Sequence, residues 1–137
     1  MERSRVHYPA SQFLNAKAAT GASVALLISD YRNLVVQVTA PANSSFTIKF
    51  AGAIGETAPD FTAAQSTSNP YDFIEIADLQ DGALIDGDTG VTIDNTTAAV
   101  NTRLFEVNVN ALDYFAVVVS AYTDGSVSAS VTATTNG

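Results

Sequence analysis

Apolar and polar residues alternate with a period of two in several separated runs, which is the pattern of half-buried β-strands. In residues 34–40, LVVQVTA, Leu34, Val36 and Val38 share one face. Pro41 cannot donate a ladder hydrogen bond and is expected to end that strand. In residues 45–51, SFTIKFA, Phe46, Ile48 and Phe50 point one way and Thr47 and Lys49 the other. Residues 103–109, RLFEVNV, place Phe105, Val107 and Val109 on a single face, and residues 71–77, YDFIEIA, read as another strand. The runs SVALLIS (23–29) and YFAVVVSAY (114–122) are almost continuously apolar, as strands covered on both faces are. The closing SVSASVTATT sets Val127, Ala129 and Val131 on one face. It has little bulk and many hydroxyls, so its expected place is a sheet edge or a contact with a neighbouring subunit.

Turn signals separate these runs. Asp-Gly at 124–125 predicts a hairpin between the last two strands. Residues 52–70, GAIGETAPDFTAAQSTSNP, lack periodicity and read as a long surface loop, a kind of segment that often carries function. No 3.6-residue stripe and no solenoid repeat is present. The prediction is an all-β protein: a β-sandwich or jelly roll of about seven or eight antiparallel strands. Residues 1–20, with Arg3, Arg5 and Lys17 against an acidic remainder, read as an extended N-terminal arm; residues 21–137 form the sandwich domain. Tyr8, Phe13 and Leu14 suggest that the arm docks on something.

Composition narrows the function classes. The chain carries 14 acidic and 6 basic side chains and a formal net charge of -8. Such a surface repels nucleic acid and anionic membranes, so neither is an expected partner. No cysteine occurs, which removes disulfides, thiolate metal sites and cysteine nucleophiles. His7 is the single histidine, so Ser-His-Asp chemistry and zinc are both poorly supplied. Gly52 and Gly55 lack the spacing and following Lys of a phosphate loop. No catalytic residue is assigned, and no cofactor is expected. No apolar run approaches the ~18 residues of a membrane helix, and synthesis and folding in a host cytoplasm are expected.

Two candidate binding sites remain. DGALIDGDTGVTID (81–94) brings Asp81, Asp86, Asp88 and Asp94 together in sequence, and calcium seeks clustered carboxylates. Asp86 and Asp88 match the first two ligands of an EF-hand loop, but Gly90 stands at the third and Thr97 where the late glutamate belongs. Asp-Gly pairs are also favoured turn formers, and turns are the preferred reading, with calcium the alternative. The second candidate is a sugar platform at Tyr71, with Asn69 and Asp72 beside it at the end of the long loop.

Three stretches, RVHYPASQFLNAKAATG, SNPYDFIEIADLQDGALIDGDTG and FEVNVNALDYFAVVVSAYTDGSVSASVTATTNG, together resemble small structural proteins of tailed bacteriophage particles. The resemblance is one of style over most of the chain. It implies a capsid cement or decoration protein on the outer surface of the virion. Its implied partners are the major capsid protein and copies of itself, as a trimer or other symmetric oligomer. On that reading Arg3, Arg5, Tyr8 and Phe13 dock the arm on the shell. The alternative is a phage tail, fibre or adhesion-type module that binds a host glycan, with or without calcium.

Overall fold

The computed structural model describes residues 7–135, with side chains from residue 11 onward. Twelve strands follow one another: β1 (His7–Lys17), β2 (Gly21–Ala22), β3 (Leu26–Leu27), β4 (Asn33–Pro41), β5 (Ser44–Ala53), β6 (Asp72–Phe73), β7 (Ile76–Asp78), β8 (Leu84–Ile85), β9 (Val91–Asn95), β10 (Val100–Asn108), β11 (Tyr114–Asp124) and β12 (Val127–Thr134). Four are only two residues long, which leaves eight of the length that alternation can reveal. No helix occurs among the described residues. All pairings are antiparallel. One sheet, called A here, has the order β1-β12-β4-β10-β7-β8. Sheet B has the order β2-β11-β5-β6, with β3 also on β11 and β9 also on β5. The two sheets pack face to face as a β-sandwich.

The alternating runs supply the core. Leu34, Val36, Val38 and Ala40 of β4 are buried, as are Phe46, Ile48 and Phe50 of β5 and Val127, Ala129, Val131 and Ala133 of β12. Four phenylalanines from four strands meet at the centre. Phe50 lies 5.5 Å from Phe105 and 6.1 Å from Phe115, and Phe13 lies 6.2 Å from Phe115, centroid to centroid. Aromatic contacts at these separations add to simple burial.

Five expectations change. Residues 23–29 are not a strand covered on both faces: only Leu26–Leu27 pairs, with β11, and Val24 and Leu27 are exposed. Residues 71–77 are not one strand: the chain leaves sheet B after β6 and enters sheet A at β7. Residues 7–17 are a strand of sheet A, paired along β12 from His7 opposite Thr134 to Lys17 opposite Val127. They belong to the sandwich, although residues 1–6 lie outside the described part of the chain. Consequently β12 is not an edge: it sits between β1 and β4, and its small apolar side chains are buried in the core. The Asp124–Gly125 turn exists but is no hairpin. It carries the chain from β11 in sheet B to β12 in sheet A. Turn chemistry specifies a reversal, whereas the sheet that receives the next strand is decided by the pairings available to it.

Two further crossings, β4 to β5 and β9 to β10, lie at the same end of the sandwich, because Ser44 pairs with Asn95 and Asp124 with Ser45. Asn95 is buried there and ties them together. Its amide nitrogen donates to the carbonyls of Ala40 (3.2 Å), Pro41 (3.0 Å) and Ala98 (3.1 Å), and its oxygen accepts from Ala98 N–H (3.2 Å). Gly125 has φ +79°, and a Cβ there would lie 2.4 Å from Ser44 Cα. Gly125→Ala is therefore expected to destabilise the fold by about 3 kcal/mol, through left-handed backbone strain plus overlap with a main chain that cannot yield. Urea denaturation measures it.

Candidate functional site

The long loop folds back over the outer face of sheet B. Small side chains prepare that face: Ala51, Ala53, Ala116 and Val118 are buried beneath Phe61, with Tyr71, Phe73 and Tyr114 around it. This covering explains why β11 is apolar on both faces. Gly55 N–H donates to the Asp113 carboxylate (2.7 Å) and the Tyr114 hydroxyl to Glu56 C=O (3.0 Å), which anchor the start of the loop. Asn69 closes its end. The Asn69 side-chain oxygen accepts from Asp60 N–H (2.8 Å), and its nitrogen donates to Asp60 C=O (2.8 Å) and Ala64 C=O (3.2 Å). Asp60 in turn accepts from the Thr62 hydroxyl and N–H, and these bonds, the hydroxyl first, hold its carboxyl below the usual range.

This geometry bears directly on the sugar platform. Tyr71 donates its hydroxyl to Ala63 C=O (2.7 Å), and its ring packs edge-on between Phe61 (5.1 Å) and Phe73 (5.8 Å). Burial, helped by the negative charge of Asp60, raises the Tyr71 pKa. Asn69 is engaged inside the loop, and Asp72 accepts from Phe73 N–H (2.9 Å). Tyr71 and Asp72 do line an open cleft of about 330 Å³ with Ile54, Pro70 and Leu112. A second cleft, of about 500 Å³, runs between Tyr71 and Lys17 over Ser120. Tyr71 and Asn69 thus build the loop first, both half-buried, while Asp72 is exposed at the cleft.

The aspartates of 81–94 separate. Asp81 accepts from Ala83 N–H (2.9 Å), and Asp86 accepts from Asp88 N–H (3.3 Å) through its side chain and from Thr89 and Gly90 N–H (both 3.1 Å) through its carbonyl. Asp94 lies on β9, opposite Ser45. Gly90 has φ +69°, and a Cβ would sit 2.4 Å from Ile48 C=O. The stretch is thus two turns plus the strands β8 and β9, more structured than a chain of turns. Among the described residues, no three His, Asp or Glu side chains gather to hold a metal ion.

Of the arm residues, Arg3 and Arg5 lie outside the described residues. Tyr8 lies on β1 opposite Ala133. Phe13 is 7% exposed and belongs to the core, so it could reach a partner only if β1 left the sheet.

One constellation escapes simple pattern reading. Asp78, 5% exposed, forms an ion pair with Arg103 and accepts from Gln80 N–H (3.0 Å). The Arg103 guanidinium lies 5.5 Å from the Phe105 ring centre, within cation–π range. The signal was strand parity: Asp78 is in phase with the inward Ile76, and Arg103 with the inward Phe105 and Val107. Phe105 and Asp78 are register partners. The Gln80 N–H, followed by Arg103, lowers the Asp78 pKa against the opposing effect of burial. A lowered folded-state pKa gives stability that is present above the ordinary carboxylate range and is lost as pH falls through and below it. Asp78→Asn should therefore cost about 2 kcal/mol at neutral pH and flatten the decline in stability on acidification, as read from urea midpoints across the acid range.

No protein-family model matches the chain, and no curated protein matches its sequence. Solved structures do match its fold. The SPBc2 prophage-derived protein YomS superposes with a TM-score of 0.65 at 16% identity, over 98% of this chain and 97% of YomS. The PBSX exported protein XepA superposes with a TM-score of 0.69 at 15% identity, over 98% of this chain and 39% of XepA. The chain thus spans well under half of XepA and nearly all of YomS. The β-sandwich it shares with both runs essentially from end to end.

Proposed function

We propose that this chain is a structural protein of a bacteriophage particle, without catalysis, and that it acts as a cement or decoration protein on the outer capsid surface. The observation that carries this reading is the end-to-end sharing of its fold with the prophage-derived YomS. The hydrogen bonding supports it, because carboxylates that could serve chemistry are engaged in building turns and loops: Asp60 with Thr62, Asp78 with Arg103, Asp81 with Ala83 and Asp86 with Asp88. The phage-protein style of the sequence points the same way. Its partner is then the major capsid protein, in the assembled shell. Because residues 7–17 are tied into sheet A, binding falls to faces and loops of the body. A protein that binds the assembled shell more tightly than its dissociated subunits stabilises the shell by mass action.

The test is co-sedimentation of the purified chain with assembled phage shells, followed by heating of the decorated and bare shells. Saturable binding and a higher disassembly temperature are expected. Failure to sediment with shells, combined with glycan-array binding that Tyr71→Ala removes, would replace this reading with the host-glycan module.

A further inference from the structure

The two outer faces of the sandwich are finished differently. Loop 54–71 covers sheet B, whereas no described element covers sheet A. Registered rows cross the bare face: Thr132, Val35 and Glu106 form one, and Ser130, Gln37 and Leu104 the next. Leu104 is 41% exposed, and Leu84, on β8, is 67% exposed where β7 and β8 extend the sheet. Val35, Gln37, Leu104, Ser130 and Thr132 frame a recess of about 140 Å³, room enough for an aliphatic side chain.

We infer that this face of sheet A docks a second copy of the same chain, sheet against sheet. Charge is the first argument. The chain carries a formal net charge of -8, so two copies repel wherever their carboxylates meet. Across β12, β4 and β10 the charged residues are Arg103 and Glu106 alone, and Arg103 is turned inward onto Asp78. Glu106 is the single outward charge of these three strands. Chemical self-matching is the second argument. Ser and Gln side chains both donate and accept, and the apolar Leu104, Val35 and Leu84 suit their own kind. An isologous contact requires a surface that complements itself in this way. Area is the third. Strands about 4.8 Å apart that rise about 3.3 Å per residue give this face roughly 600 Å² in projection, the lower bound per partner for a specific interface. Sheets pack about 10 Å apart, a spacing at which Leu104 of each copy enters the recess of the other.

This inference goes beyond shell binding and is independent of it. Sedimentation equilibrium of the full chain at about 100 μM should give a dimer mass, and Leu104→Glu should weaken association by more than about tenfold. Measured at a concentration low enough that both proteins are monomeric, the circular dichroism and urea midpoint of that variant should match the wild type, because Leu104 is already exposed in the single chain. Leu27→Glu makes the same chemical change on sheet B at a residue 63% exposed, and it should leave the dimer intact. A monomeric wild type, a dimer indifferent to Leu104→Glu, or equal loss with Leu27→Glu would each overturn the inference. A monomer that loses shell binding on Leu104→Glu would assign the face to the capsid instead.

Discussion

Phe13→Ala should lower stability by about 3 kcal/mol, near the low end for deleting a buried phenylalanine ring. Phe13 is 7% exposed and packs at a tilt against Phe115 across the sandwich. The loss follows from its place on β1, which covers β12 on one side of sheet A. If residues 7–17 were a detached arm, the substitution would change stability by less than about 0.5 kcal/mol. Urea unfolding separates the two outcomes, and an unchanged m-value would show that the midpoint shift reflects stability itself.

Asn95→Ala should cost about as much, for a different reason. The amide has two N–H donors shared among the carbonyls of Ala40, Pro41 and Ala98, and it accepts from Ala98 N–H. Asn95 is 4% exposed, so truncation leaves polar main-chain groups without partners in a dry corner. One such group costs about 1–3 kcal/mol, and several are stranded here; about 3 kcal/mol is expected overall. Asn95→Asp should do no better at neutral pH, because a carboxylate cannot donate to carbonyls. Urea midpoints give the magnitudes. Hydrogen exchange should show the loss concentrated at the three sheet crossings, around residues 41–44, 95–98 and 124–127.

Strands buried on one face were legible in the sequence because burial writes a period of two. Runs 34–40 and 45–51 lie within observed strands, and run 103–109 does so up to Asn108, with the expected residues inward. The continuous run 114–122 announced a strand covered on both faces, although its cover is the long loop, which carries no periodicity of its own. β1 was not legible. Its ladder slips three times, between Tyr8 and Ser11, Gln12 and Leu14, and Leu14 and Lys17, so its inward residues do not alternate and it reads as an arm. Strands of two residues leave no pattern at all.

Sites were less legible than strands. Asn69 and Tyr71 stand out in a polar loop and suggest a ligand, yet a loop of that length needs internal hydrogen bonds to hold its shape, and both are engaged there. Asp78 and Arg103 carried a readable clue, since charged residues at inward positions require each other. The clue emerges only when parity is followed past the end of the apolar run.

On the proposed reading, this protein meets its partner with the faces of a finished sandwich and not with a segment that folds on contact. Hydrogen–deuterium exchange of the free protein, repeated with assembled shells, tests this most directly. Amides of β1 facing β12 should exchange slowly in both states, with new protection on shells confined to outer faces and loops. Fast exchange of residues 7–17 in the free protein, slowed only on shells, would contradict it and make that segment the docking element.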